Sequence, residues 1–135
     1  MRARIAMLSV LVALLPAAAA LAQQASISPP IETAHTFLMA WGHEKWDELK
    51  TVAGEQVTVK VGDKTYSLQP GANSEVKLVF PFRGLSTVRA DGAVKSIAIQ
   101  DLGIKVGDNE VRGAGTLTLD EKDGSFRVVE VSTAK

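Results

Sequence analysis

The chain has no cysteine, which excludes disulfide staples, thiol nucleophiles and thiolate metal ligands and leaves its stability to a hydrophobic core. Aromatic residues are scarce at 5%, so two tryptophans, four phenylalanines and one tyrosine must supply most of the large packing surfaces. Charge of neither sign predominates: 15 Lys plus Arg, scattered singly along the chain, face 15 Asp plus Glu. Binding to nucleic acid rests on clustered cations that neutralise phosphates, so nucleic acid is not an expected partner. Histidine is limited to His35 and His43. On a helix rising about 1.5 Å per residue these stand on the order of 12 Å apart, too far to share one ion. Glu32-Thr33-Ala34-His35 is a single copy of a spacing that di-iron bundles need twice, and His43-Glu44-Lys45-Trp46-Asp47 ends in Asp where a zincin has its second His, so no metal site or cofactor is expected. There is no Gly-x-Ser-x-Gly elbow, and Gly113-Ala114-Gly115-Thr116 lies in a strand pattern with no helix after it, which argues against a serine hydrolase and a phosphate-cradling loop.

What is present begins with a leader. Arg2 and Arg4 precede an apolar run from Ile5 to Leu15, and small residues follow Pro16 as far as Ala22, the layout of a secretory signal peptide over 1–22. A membrane anchor is the rival reading, but the alanine-rich second half suits a peptidase better than a lipid-facing helix. Cleavage after Ala22 is expected, giving a periplasmic or secreted protein with no membrane contact after cleavage. The remaining chain has the length of one domain.

Residues 23–30 read as a flexible lead. From Ile31 the apolar residues Ala34, Leu38 and Trp41 recur at helical steps, Gly42-His43 interrupts them, and Trp46, Leu49 and Ala53 resume them up to Gly54, which is placed to end a second helix in the left-handed conformation. After Gly54 the period changes to two. Val57, Val59 and Val61 alternate with polar residues, and a Gly62-Asp63 turn pairs Val61 with Lys64, Val59 with Tyr66 and Val57 with Leu68. Gln69 to Ser74 reads as a loop. The next strand carries Val76, Leu78, Phe80 and Phe82 on one parity, and Pro81 makes it an edge strand or a bent one. It gives way at Arg83-Gly84 to Leu85–Arg89, and Ala90-Asp91-Gly92 turns the chain. Ile97 and Ile99 then share one parity while Leu102, Ile104 and Val106 share the other. A strand changes faces only at an irregularity, so a β-bulge near Gln100-Asp101 is predicted, with a bend and a stronger twist. A second Gly-Asp turn at 107–108 pairs Ile104 with Val111 and Lys105 with Glu110, and a last hairpin joins Val111–Leu119 to Ser125–Ser132. Lys60-Val61-Gly62-Asp63 and Lys105-Val106-Gly107-Asp108 are one turn chemistry used twice, not a repeat architecture.

This order, carried by Phe37-Leu38-Met39-Ala40-Trp41 with Trp46-Asp47-Glu48-Leu49, by Ile99-Gln100-Asp101-Leu102 through Gly113 to Gly115, and by Gly124-Ser125-Phe126-Arg127-Val128-Val129, resembles the nuclear transport factor 2-like superfamily, including its SnoaL-like members, with cystatin-like relatives also in view. The resemblance implies an α+β domain over 31–135, with two short helices in the concave face of a strongly curved antiparallel sheet. It departs from that pattern in having a hairpin and loop over 54–74 where a third helix is common.

In such a cone, chemistry would come from a few interior polar groups. Asp101 is a candidate general base or a bulge residue satisfying backbone N–H groups, and His35 a proton-transfer group or a structural histidine. Arg112 is a further polar candidate, read more simply as a solvated or cross-strand charge. Trp41, Phe80, Phe82, Arg83 and Tyr66 are the candidate pocket, with core packing as the simpler account of the large rings. The expected function is a non-catalytic binding or accessory module for a small apolar ligand or a protein partner, acting as a homodimer; the alternative is a SnoaL or ketosteroid-isomerase-like lyase or isomerase using Asp101 or His35.

Overall fold

A computed structural model describes residues 28–68 and 75–133. The leader, most of the lead and the loop at 69–74 lie outside these residues.

Helix α1 spans Pro29–Gly42. Ser28 caps it, its hydroxyl accepting from the Ile31 N–H at 3.4 Å, and two prolines occupy the first turn, where a missing N–H costs nothing. Pro30 is buried, so the helix takes in two residues that the sequence reading left in the lead. Ala34, Phe37, Leu38 and Trp41, spaced by three and four, form its buried stripe. The chain reverses through Glu44, whose φ is 56°, and helix α2 follows over Trp46–Val52 with Leu49 buried.

Gly54 does not end α2. Ala53 is already extended (φ −115°, ψ 150°) and opens strand β1, Ala53–Val61. Within that strand a Cβ on Gly54 would stand 3.1 Å from Val129 Cγ1, so glycine is there for a close approach and not for a left-handed cap. Strand β2 (Lys64–Leu68) returns through the Gly62-Asp63 turn in the predicted register. Strands β3 (Val76–Ala90), β4 (Ala93–Val106), β5 (Asn109–Lys122) and β6 (Ser125–Thr133) follow as an antiparallel meander. β3 runs on through Arg83-Gly84 without a break.

The six strands lie in the order β2-β1-β6-β5-β4-β3. All neighbours are antiparallel except β1 and β6, which run parallel. One cross-strand row shows how the sheet presents its inner face: Ile97, Leu117, Val131 and Val59 stand side by side on β4, β5, β6 and β1, each fully buried. Burying each contributes about 1.5–3 kcal/mol. Helix α1 covers this face over β3, β4 and β6, and α2 covers it over β1 and β6.

The predicted irregularity is present. Between β4 and β5, Ile99 opposes Gly115 and Leu102 opposes Gly113, so Gln100 and Asp101 face the single residue Ala114. On the other side of β4, Val79 opposes Gly103 and Arg83 opposes Asp101, so Phe80, Pro81 and Phe82 face Leu102 alone. The bend therefore crosses three strands at one level. Gly115 makes room for it, because a Cβ there would lie 2.5 Å from Leu102 Cδ2.

Candidate functional site

The bend leaves backbone groups of β3 without ladder partners, and an arginine supplies them. Arg112 of β5 lies opposite Gly103, and its guanidinium passes over that glycine, where a Cβ would stand 2.5 Å from Nη2. Neighbouring Ile104 and Leu102 are fully buried on the helix-facing side, so strand alternation puts Gly103 and the guanidinium on the opposite face. Arg112 then donates to three successive carbonyls, from Nη2 to Val79 O at 3.1 Å and Phe80 O at 3.3 Å, and from Nη1 to Pro81 O at 2.8 Å. Asp101 Oδ1 lies 3.2 Å from the same Nη1, with Glu110 Oε2 at 3.9 Å from Nε. Arg83 Nε sits 3.9 Å from Asp101 Oδ2, its side chain 71% exposed. Asp101 is thus the counter-ion of an arginine that holds the bulge.

The bulge presents two rings toward α1. Phe80 packs over Gly42, where any Cβ would collide with the ring at 2.1 Å, so Gly42 is a seat for the ring as well as the helix's last residue. Four rings form one row along the α1/β3 seam: His43 to Phe80 with centroids 4.9 Å apart, Phe80 to Phe82 at 6.1 Å, and Phe82 to His35 at 5.7 Å in an edge-on contact. Both histidines are exposed, Phe82 is half-buried and Phe80 is 37% exposed. Each histidine closes one end of the row. The seam is an apolar, aromatic surface, and Glu44, next to His43 in the chain, lies with its Oε2 3.9 Å from Lys77 Nζ.

The remaining candidates lie elsewhere. Trp41 is 2% exposed, packs its ring on Phe37 at 5.9 Å and donates its Nε1–H to Val76 O at 3.3 Å, so it fills the interior. Tyr66 stands on β2, the opposite edge strand from β3. It lines an open groove of about 450 Å³ with Val61, Lys64, Val106, Asn109 and Glu110, into which neither Trp41 nor the ring row enters. Both Lys-Val-Gly-Asp tetrapeptides contribute their valines to this groove, each beside a glycine at positive φ, 63° at Gly62 and 60° at Gly107. The structure thus groups Phe80, Phe82 and Arg83 at the bulge with His35 and Asp101 on its two sides, and separates Trp41 and Tyr66 from them. The sequence reading counts Arg112 among the polar candidates but favours a solvated or cross-strand charge; the structure makes it the donor to the bulge carbonyls. Its signal was readable: the Lys105–Glu110 register, continued by two residues, sets an arginine opposite a glycine beside the predicted bulge.

No protein-family model matches the chain, and no curated protein sequence matches it. Solved structures do. A nuclear transport factor 2-like protein from Cytophaga hutchinsonii superposes with a TM-score of 0.51 at 8% identity, over 76% of this chain and 91% of that one. An LEH-like epoxide hydrolase of M. tuberculosis follows at TM-score 0.49 and 14% identity, over 79% and 82% of the two chains. A nuclear transport factor 2-like protein of unknown function from Shewanella baltica gives TM-score 0.43 and 12% identity, over 77% and 88%. The first carries the conclusion, and at such identity it concerns fold alone: the chain has the nuclear transport factor 2-like α+β fold.

Proposed function

We propose that this protein is an exported binding or accessory module, homodimeric and non-catalytic, that engages a small apolar ligand or an apolar side chain of a protein partner through the ring row His35–Phe82–Phe80–His43. The supporting observation is that the large rings divide into two sets. Trp41 and Phe37 are packed away in the interior, whereas Phe80 is exposed and backed by Gly42, with a half-buried Phe82 beside it. Exposed aromatic surface held in place by backbone contacts binds apolar groups at little cost in side-chain entropy. An acid–base role for Asp101 has less support, because its carboxylate faces two guanidinium groups, Arg112 at 3.2 Å and Arg83 at 3.9 Å.

Native mass spectrometry of the protein recovered from its own cell envelope, beside the Phe80→Ser variant, tests the reading. The wild type should carry a bound molecule or partner that the variant has lost, with circular dichroism unchanged. The reading falls if the variant retains that molecule, or if the wild type converts it and Asp101→Asn abolishes the conversion.

A further inference from the structure

Both histidines of the chain belong to the ring row, and they stand at its two ends. His35 lies within α1 and His43 caps its C-terminus, yet each meets a different phenylalanine of the β3 bulge. The His43 ring is 4.9 Å from Phe80 at an interplanar angle of 33°, and the His35 ring is 5.7 Å from Phe82 at 66°. Both are exposed, and among the described residues neither forms an ion pair with a carboxylate. On α1, Glu32 stands one turn before His35 without pairing with it. On β3, Arg83 follows Phe82 with its Nε 3.9 Å from Asp101, and Lys77 lies 3.9 Å from Glu44, the residue after His43. Lys45 and, on α2, Asp47 and Glu48 line an open groove with Glu44 beyond the end of α1. A charge gained by either imidazole is therefore not cancelled by a paired carboxylate.

We infer that the ring row is an acid-released apolar surface: with both imidazoles neutral it is uncharged along its length, and protonation of His35 and His43 sets a positive charge at each end and lowers its affinity for apolar groups. Histidine is the side chain whose charge ordinarily changes between about pH 5 and 8. An apolar group laid along Phe80 and Phe82 strips water from the imidazoles beside them, and stripping water from an unpaired charge is far more costly than from a neutral ring. The rings themselves stay seated, because an imidazolium stacked on Phe80 is attracted to its π-system and Gly42 still backs that ring. Acid thus changes the character of the surface and leaves the fold intact. The inference rests on the ring row as the binding surface and names its regulation.

The test titrates N-phenyl-1-naphthylamine, an apolar probe that stays uncharged across this range and brightens in apolar surroundings, into protein produced from the full 135-residue reading frame. Its dissociation constant should rise about fivefold or more between about pH 7.5 and about pH 5.5, with circular dichroism the same at both. Replacing both histidines, His35→Phe with His43→Phe, keeps a ring at each position and removes the titration, so the dissociation constant of that protein should not change with pH. Phe80→Ser should bind the probe poorly at either pH. Equal binding by the wild type at both pH values, or an unchanged pH dependence after His35→Phe with His43→Phe, would overturn the inference and leave the ring row standing as a binding surface. Binding by Phe80→Ser as tight as by the wild type, or no binding by the wild type at either pH, would overturn the ring row and the inference together.

Discussion

The β4–β5–β6–β1 wall and the bulged edge strand β3 use the same kind of alternating sequence to opposite ends. Along the wall, residues of one parity meet partners of one parity on the next strand, and helices α1 and α2 close over them, so Ile97, Leu117, Val131 and Val59 leave no surface exposed. Along β3 the parity set by Val76 and Leu78 continues into Phe80 and Phe82, but three residues there face one on β4 and the ladder opens. The rings reach the helix at its margin and stay partly in water. A bulge thus converts a core pattern into a partly exposed aromatic surface and frees backbone carbonyls that Arg112 takes up.

The contrast can be broken from the interior outward. Trp41→Ala should cost about 3–5 kcal/mol, read as a lower denaturant midpoint, because it empties a filled interior and removes the Nε1–H that Trp41 donates to Val76 O. A ligand wall would lose far less stability and would lose binding in its place. Arg112→Ala should cost about 1–3 kcal/mol by removing the charged donor of the part-buried Val79 carbonyl and of the exposed Phe80 and Pro81 carbonyls and by removing a counter-ion of Asp101, and Arg112→Lys should recover little, since an ammonium cannot fork across three carbonyls. Gly115→Ala, also at about 1–3 kcal/mol, should report overpacking against Leu102, where a Cβ would lie 2.5 Å from Cδ2. Phe80→Ser should cost the least, about 1 kcal/mol, in keeping with a ring already 37% exposed, while abolishing binding at the seam.

Local signals carried most of this fold. The hairpin registers at Gly62-Asp63 and Gly107-Asp108 follow from two-residue turns and alternation, and the parity switch between Ile99 and Leu102 announced the bulge. The parallel pairing of β1 with β6 was not legible, because it joins residues far apart in sequence with no turn to set the register. Gly54 misled for a related reason: a glycine after a helical run is the usual left-handed stop, but here the helix passes straight into an extended residue and the glycine serves packing against Val129. Of the candidate site, Phe80, Phe82 and Arg83 were readable from their placement around Pro81. Which rings would be buried was not, since Trp41 and Phe80 differ only in which part of α1 and β3 they reach.

The direct test of the claim that Arg112 fixes the bend and so separates a filled interior from an exposed seam is amide hydrogen exchange across β3 and β4 in the wild type and in Arg112→Ala. Exchange in the variant should accelerate at residues 79–83 and 100–102 and stay unchanged at Ile97, Leu117 and Val131. Equal protection of 79–83 in both proteins, or a uniform loss across the whole sheet, would contradict it.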